Sequence, residues 1–183
     1  MAVAGAEDRE WTQQKIANAA PHAEFVWDTG EPPTGALSTL TKAFKLAGDD
    51  AAVFMEDDAI PTTDFVTKLE TAIAERPHDI IQFFSRRKKD KTIGSRYESY
   101  FSSHVCVYFP ATMARQLLAY YPIWAVKNLE PHPTGTDHWT AEYFKYRKLR
   151  HWIHVPSLAQ HSESVSIIDS RRARRRVSET FIP

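Results

Sequence analysis

Apolar and polar positions alternate along the chain in two rhythms. Short runs of apolar and β-branched residues occur at 2–5 (AVAG), 23–28 (AEFVWD), 51–56 (AAVFME), 79–84 (DIIQFF), 104–109 (HVCVYF) and 151–155 (HWIHV). Runs of this length predict buried strands. Between them the spacing lengthens to the helical period. Leu37, Leu40, Phe44 and Ala47 share one face of a predicted helix, as do Phe65, Val66, Leu69 and Ile73, with Thr62 or Thr63 placed to cap the second. Pro110 predicts a helix start with proline in the first turn, ahead of ATMARQLLAYY, and TDHWTAEYFKY at 136–146 predicts a further helix. This alternation predicts an α/β domain with a mainly parallel central sheet, whose ligands bind at the carboxyl ends of strands.

No repeat, low-complexity tract or linker divides the chain. Residues 1–168 therefore read as one domain, and the arginine-rich 169–183 as a basic C-terminal tail. With 183 residues, 43% of them hydrophobic, the chain has enough apolar surface for one real core without staples. The single cysteine, Cys106, rules out an internal disulfide, and its apolar surroundings suit a packed thiol rather than a nucleophile. No stretch approaches the roughly 18 apolar residues of a membrane span, and MAVAGA lacks the features of a signal peptide. The expectation is a soluble, cytoplasmic protein.

Formal net charge is zero, so no global field draws the protein to nucleic acid or acidic lipid. The charge is unevenly spread, however. SRRKKDK at 85–91 and RRARRR at 171–176 are basic clusters, readable either as solvated surface or as contacts for the phosphates of a nucleotide or nucleic acid.

The most informative stretch is FMEDDAIP at 54–61, where an apolar strand runs straight into Glu56, Asp57 and Asp58. Like charges crowded at a strand end are costly unless a cation neutralises them. Mn²⁺ or Mg²⁺ would do so, held by one or two carboxylates with water and substrate phosphates completing the shell. A nucleotide diphosphate suits such a site, because the metal screens charge as a bond to phosphate breaks. The plain alternative is an acidic loop exposed to water.

AAVFMEDDAIPTTDFVTKLETAI resembles the Asp-x-Asp region of glycosyltransferases of the GT-A (A-type) fold, especially those similar to the lipopolysaccharide and collagen galactosyltransferases. HVCVYFPATMARQLL is similar to their later strand and helix, GTDHWTAEYF to their acceptor-side segment, and HVPSLAQHSESVS to their closing region. These segments cover most of residues 51–168 in the family's order. The resemblance implies Asp58 as the main metal ligand, His161 as the histidine completing the metal site, and Asp57 or Glu56 facing the ribose or nucleotide-sugar. It places Ala4, Gly5 and Arg9 near the base or phosphates and Asp28 against the base, although Gly5 also suits a turn and Asp28 a cap. Asp137 becomes the candidate general base, taking the proton of an attacking acceptor hydroxyl; as a residue type it equally suits a helix N-cap, and Glu142 is a distant substitute. Arg86 and Arg87 are candidate diphosphate or acceptor contacts. Trp139 is open between stacking on an acceptor and the core, while Phe144 is assigned to the core.

The implied activity is transfer of a sugar from a nucleotide-sugar donor, foremost a UDP-sugar, to an acceptor hydroxyl, with inversion by single displacement. The chain is short for that family, which suggests a compact, open site serving a large polymer. DNA bearing hydroxymethylated bases, as modified by bacteriophage enzymes, is one candidate acceptor; saccharide and protein are others. Two rival readings stand beside it. A Mg²⁺-dependent nucleotidyltransferase or phosphohydrolase would want a second converging acidic set, and no GxxxxGK phosphate loop occurs. A catalytically silent nucleic-acid-binding module would bind DNA in a salt-sensitive way whether or not Asp58 is intact.

Overall fold

The structure, a computed structural model, describes residues 2–4, 10–27, 35–128, 136–162 and 177–183. In chain order its elements are β1 (Ala2–Ala4), α1 (Glu10–Ala19), β2 (Phe25–Trp27), α2 (Ala36–Ala47), β3 (Ala52–Glu56), β4 (Ala59–Pro61), α3 (Phe65–Glu75) and β5 (Ile81–Gln82). There follow α4 (Asp90–Ile93), β6 (Arg96–Glu98), β7 (Cys106–Phe109), α5 (Met113–Asn128), α6 (Thr136–Arg147), β8 (His151–Ile153) and β9 (Ala159–His161). The chain is α/β, and all six predicted strands contain an observed one.

Seven strands form the main sheet in the order β2-β1-β3-β7-β5-β8-β6. The sheet is mixed, which corrects the expectation of a mainly parallel one. The β1–β2, β1–β3 and β5–β8 pairings are parallel, whereas β3–β7, β5–β7 and β6–β8 are antiparallel. The run HVCVYF announces a strand but carries no mark of its direction; β7 lies reversed between β3 and β5.

Both faces of the central strands are buried, so these strands read as unbroken apolar runs. Phe54 of β3 and Val107 and Phe109 of β7 pack with Leu40, Phe44, Leu117, Trp139 and Phe144 from α2, α5 and α6. Met55, Cys106 and Tyr108 face the other way, against Ile16 of α1 and Phe65, Leu69 and Ala72 of α3. The period-2 alternation of a strand thus divides its neighbours between two helical layers. Burial pushes the Cys106 thiol strongly up from its ordinary value, as a packed, inert cysteine requires.

Two helix starts differ from expectation. Neither Thr62 nor Thr63 caps α3; Asp64 occupies that position in the left-handed region, with φ 55°, and its side chain makes no capping bond. Thr62 instead donates its hydroxyl to the carbonyl of Ile182. Pro110 lies outside α5, and its carbonyl accepts the N–H of Met113 at 3.1 Å. Among the described residues no helix is long and apolar enough to cross a membrane.

Candidate metal centre

The chain leaves the core at the end of β3 and turns through Asp57 and Asp58 into β4. β4 is only three residues long and makes no sheet alone. It is stabilised by antiparallel pairing with β9, in register Ala59↔His161, Ile60↔Gln160 and Pro61↔Ala159. Ser162 N–H donates to the Asp58 carbonyl at 2.8 Å at one end of this ribbon, and Thr62 N–H to the Leu158 carbonyl at 2.9 Å at the other. This pairing carries His161 to the acidic turn.

One ligand atom from each of Glu56, Asp58 and His161 lies within 4.8 Å of the others. Glu56 closes β3 and Asp58 lies in the turn after it, which brings the two carboxylates together. Asp58 and His161 are nearly enclosed, with side chains 8% and 10% exposed, and His161 Nε2 stands 3.2 Å from Asp58 Oδ2. The other ring nitrogen, Nδ1, lies 2.5 Å from the Ser162 carbonyl oxygen. A carbonyl can only accept, so Nδ1 carries hydrogen and neutral His161 presents the Nε2 lone pair to the carboxylate. Two lone pairs at that distance repel unless a proton or a metal ion joins them. Donation of the second ring N–H to a backbone carbonyl is also the usual arrangement that orients a metal-binding histidine.

Gln160 supports that ligand from behind. Its Oε1 accepts the N–H of His161 at 3.2 Å and of Ser178 at 2.8 Å, while its Nε2 donates to the Ser178 carbonyl at 3.2 Å. The hydroxyls of Ser157, Ser178 and Thr180 cluster beside it, at separations of 2.8, 3.1 and 3.3 Å. Residues 177–183 are therefore packed against β9 and the turn before it, so this part of the segment read as a tail belongs to the folded domain.

Asp137 lies one strand over. Glu56 N–H donates to the carbonyl of Val105, the residue before β7, and the preceding residue is His104. Its backbone N–H reaches Asp137 Oδ1 at 3.0 Å, and its ring Nδ1 reaches the same oxygen at 2.9 Å. An ionised carboxylate only accepts, so Nδ1 donates and Nε2 accepts the Thr140 hydroxyl at 2.9 Å. Asp137 is already inside α6 and ties the helix's first turn to the start of β7 rather than capping its own helix. Its side chain is 39% exposed, whereas His104 is only 3% exposed. His104 is the site-edge residue that sequence reasoning missed, since one histidine at the end of an apolar run carries no periodic signal.

Other expected residues fall elsewhere. Glu56, read with Asp57 as facing the ribose, groups with Asp58 and His161, while Asp57 is buried in the adjacent turn. Arg87 is drawn into protein contacts, pairing with Glu98 at 3.0 Å and donating to the Tyr100 carbonyl at 2.9 Å. Arg86 is exposed. Trp139 has no exposed surface and packs among Phe44, Tyr121 and Trp124, which overturns its reading as an acceptor contact. Ala4 ends β1, and the candidate nucleotide residues Gly5, Arg9 and Asp28 lie outside the described residues, as does the basic run 171–176. An apolar cavity of about 600 Å³ lies apart from the acids, around the start of β3 and beneath α3, where Leu46, Val53, Phe65, Leu69 and Ile73 line it.

Comparison with protein-family models, with curated proteins and with solved structures finds no match for this chain.

Proposed function

We propose that the protein is a metal-dependent glycosyltransferase of the GT-A fold, which moves a sugar from a nucleotide-sugar, foremost a UDP-sugar, to an acceptor hydroxyl. The observation that carries this reading is the group Glu56, Asp58 and His161, gathered at the carboxyl end of a central strand of an α/β sheet. Two carboxylates with one imidazole suit Mn²⁺ better than Mg²⁺, which takes oxygen almost exclusively. When bound, the metal supplies charge neutralisation for the departing diphosphate.

The chain's own residues do the rest. Asp58 and His161 would hold the ion, and the ribbon and the Ser162 carbonyl position their Oδ2 and Nε2 for it. Asp137 accepts the proton of the acceptor hydroxyl. His104 fixes Oδ1 of that carboxylate by two hydrogen bonds, and the side chain's exposure gives it access to solvent-borne substrate. Arg86 is an exposed cation after β5 available to a phosphate.

A panel of nucleotide-sugars with Mn²⁺, scored for released nucleoside diphosphate and for thermal stabilisation, tests the reading. Slow donor hydrolysis that disappears in Asp58→Ala is the expected result. Absence of any nucleotide or nucleotide-sugar binding, with and without metal, would overturn it.

A further inference from the structure

The edge of the sheet at β6 concentrates charge of one sign in a chain whose total is balanced. Residues 85–98 hold six lysines and arginines against two acids, Asp90 and Glu98. The acids are consumed internally. Glu98 takes Arg87 at 3.0 Å, Lys89 at 3.0 Å and Arg96 at 2.8 Å, and Asp90 takes Arg96 at 2.6 Å. Arg86, Lys88 and Lys91 are exposed and stand outside these pairs. The ion pairs therefore brace the loop and leave its outer cations to solvent.

Aromatic surface accompanies this charge. Tyr100 is 67% exposed, and its carbonyl is the acceptor that fixes Arg87, so this residue lies beside the basic loop with its ring open to solvent. Ile93, 55% exposed, adds apolar surface from α4. Cations that track a backbone, with an exposed aromatic face beside them, are the elements of a single-stranded nucleic-acid groove; a duplex keeps its base faces stacked away from such a ring.

We propose that the β6 edge, through Arg86, Lys88, Lys91 and the ring of Tyr100, binds single-stranded nucleic acid. The phosphates lie along the cations and a base stacks on Tyr100. The loop begins at the carboxyl end of β5, two strands from β3, and β6 itself lies four strands from β3, roughly 20 Å at about 5 Å per strand. This binding stands independently of sugar transfer, to which it would add a polyanionic acceptor.

Fluorescence anisotropy with a labelled oligothymidylate, titrated at several salt concentrations, tests it. Each phosphate contact contributes roughly 0.7 to the slope of log affinity against log salt, so R86Q/K88Q/K91Q is expected to flatten the slope by about 2. Tyr100→Ala should weaken binding by about fivefold or more and leave the slope in place. A third variant with glutamine at all five arginines of 171–176 separates the two basic runs. Thermal melts and Mn²⁺ binding of all variants should match the parent, so failure at this surface is distinguishable from failure of the metal site. The proposal is overturned if the parent protein does not bind, if R86Q/K88Q/K91Q keeps the parental slope, if only the 171–176 variant loses affinity, or if a duplex of equal length binds more tightly than the single strand.

Discussion

Glu98 and Asp90 at the β6 edge, and Glu56 and Asp58 at the end of β3, are two acidic clusters in sheltered positions with different partners. At β6 burial alone would raise the Glu98 carboxyl. Hydrogen bonds from Lys89 and Arg96, with the charge of Arg87, outweigh it and hold the carboxyl at about 2. Asp90, with no exposed side-chain surface, receives the Arg96 guanidinium. Ion pairs with Arg87, Lys89 and Arg96 brace this cluster, while Asp90 Oδ2 is buried without a hydrogen-bond partner. At β3 Asp58 faces an imidazole whose Nδ1 is turned to the Ser162 carbonyl and whose Nε2 is turned to the carboxylate. That pair becomes attractive only when a proton or a metal ion joins it. The first arrangement fixes a loop, and the second is a group that could hold a metal ion.

The largest expected effect lies at β6. Arg96→Ala leaves the Asp90 carboxylate buried without its guanidinium and should cost about 3–5 kcal/mol in urea unfolding. A loss below about 1 kcal/mol would mean that the β6 cluster is not the closed ion-pair network described. Adding Asp90→Asn to that variant should recover part of the loss, because the buried charge goes with it.

His151 sharpens the same side of the comparison. It is fully buried between Phe101 and Phe144, with neither ring nitrogen hydrogen-bonded. Burial first, and then the positive charge of Arg87, lower its value from 6.5 to about 4. Below 6.5 the unfolded chain takes up a proton that the folded chain refuses. Stability should therefore fall as pH drops from about 6.5 to about 4, by up to about 3 kcal/mol. His151→Phe should flatten that slope in urea titrations at stepped pH, and an unchanged slope would remove His151 as its source. Glu98 titrates in a separate window. Its stabilisation is full above about 4.5 and is lost as pH falls towards about 2.

At β3 the smaller expected effect is indirect. Gln160→Ala leaves every ligand atom in place but removes the amide that joins the His161 backbone to Ser178. Mn²⁺ affinity should fall about tenfold, as for other groups that orient a ligand. Isothermal titration reads this directly, and unchanged affinity would show that residues 177–183 do not position His161.

The comparison also separates what the sequence makes legible from what it does not. The main strands and the helices α2, α3, α5 and α6 are visible because long apolar faces repeat at a fixed period. β4 and β9 are not, since AIP and AQH have no alternation and become strands only by pairing with each other. The helix α1 hides in EWTQQKIANA, where only Thr12 and Ile16 are buried. The resemblance set Asp58 with His161, and the pairing of β4 with β9 brings the two side chains together. Glu56 joins them because the chain turns at Asp57 and Asp58, which no periodicity announces. Trp139 was ambiguous because one helical face can carry both core and stacking aromatics; its neighbours in α2 and α5 decide the matter. Arg87 looked like a phosphate contact because Glu98, which pairs with it, lies in a strand too short to predict.

The most direct test of the central claim is a Mn²⁺ titration followed by the paramagnetic resonance of the free ion, which requires neither donor nor acceptor. The parent protein should take up one equivalent, and Asp58→Asn and His161→Ala should each weaken that uptake by about a hundredfold or more, since each removes a ligand outright. Manganese that stays free beside the parent protein, or that binds both variants as it binds the parent, would contradict the account.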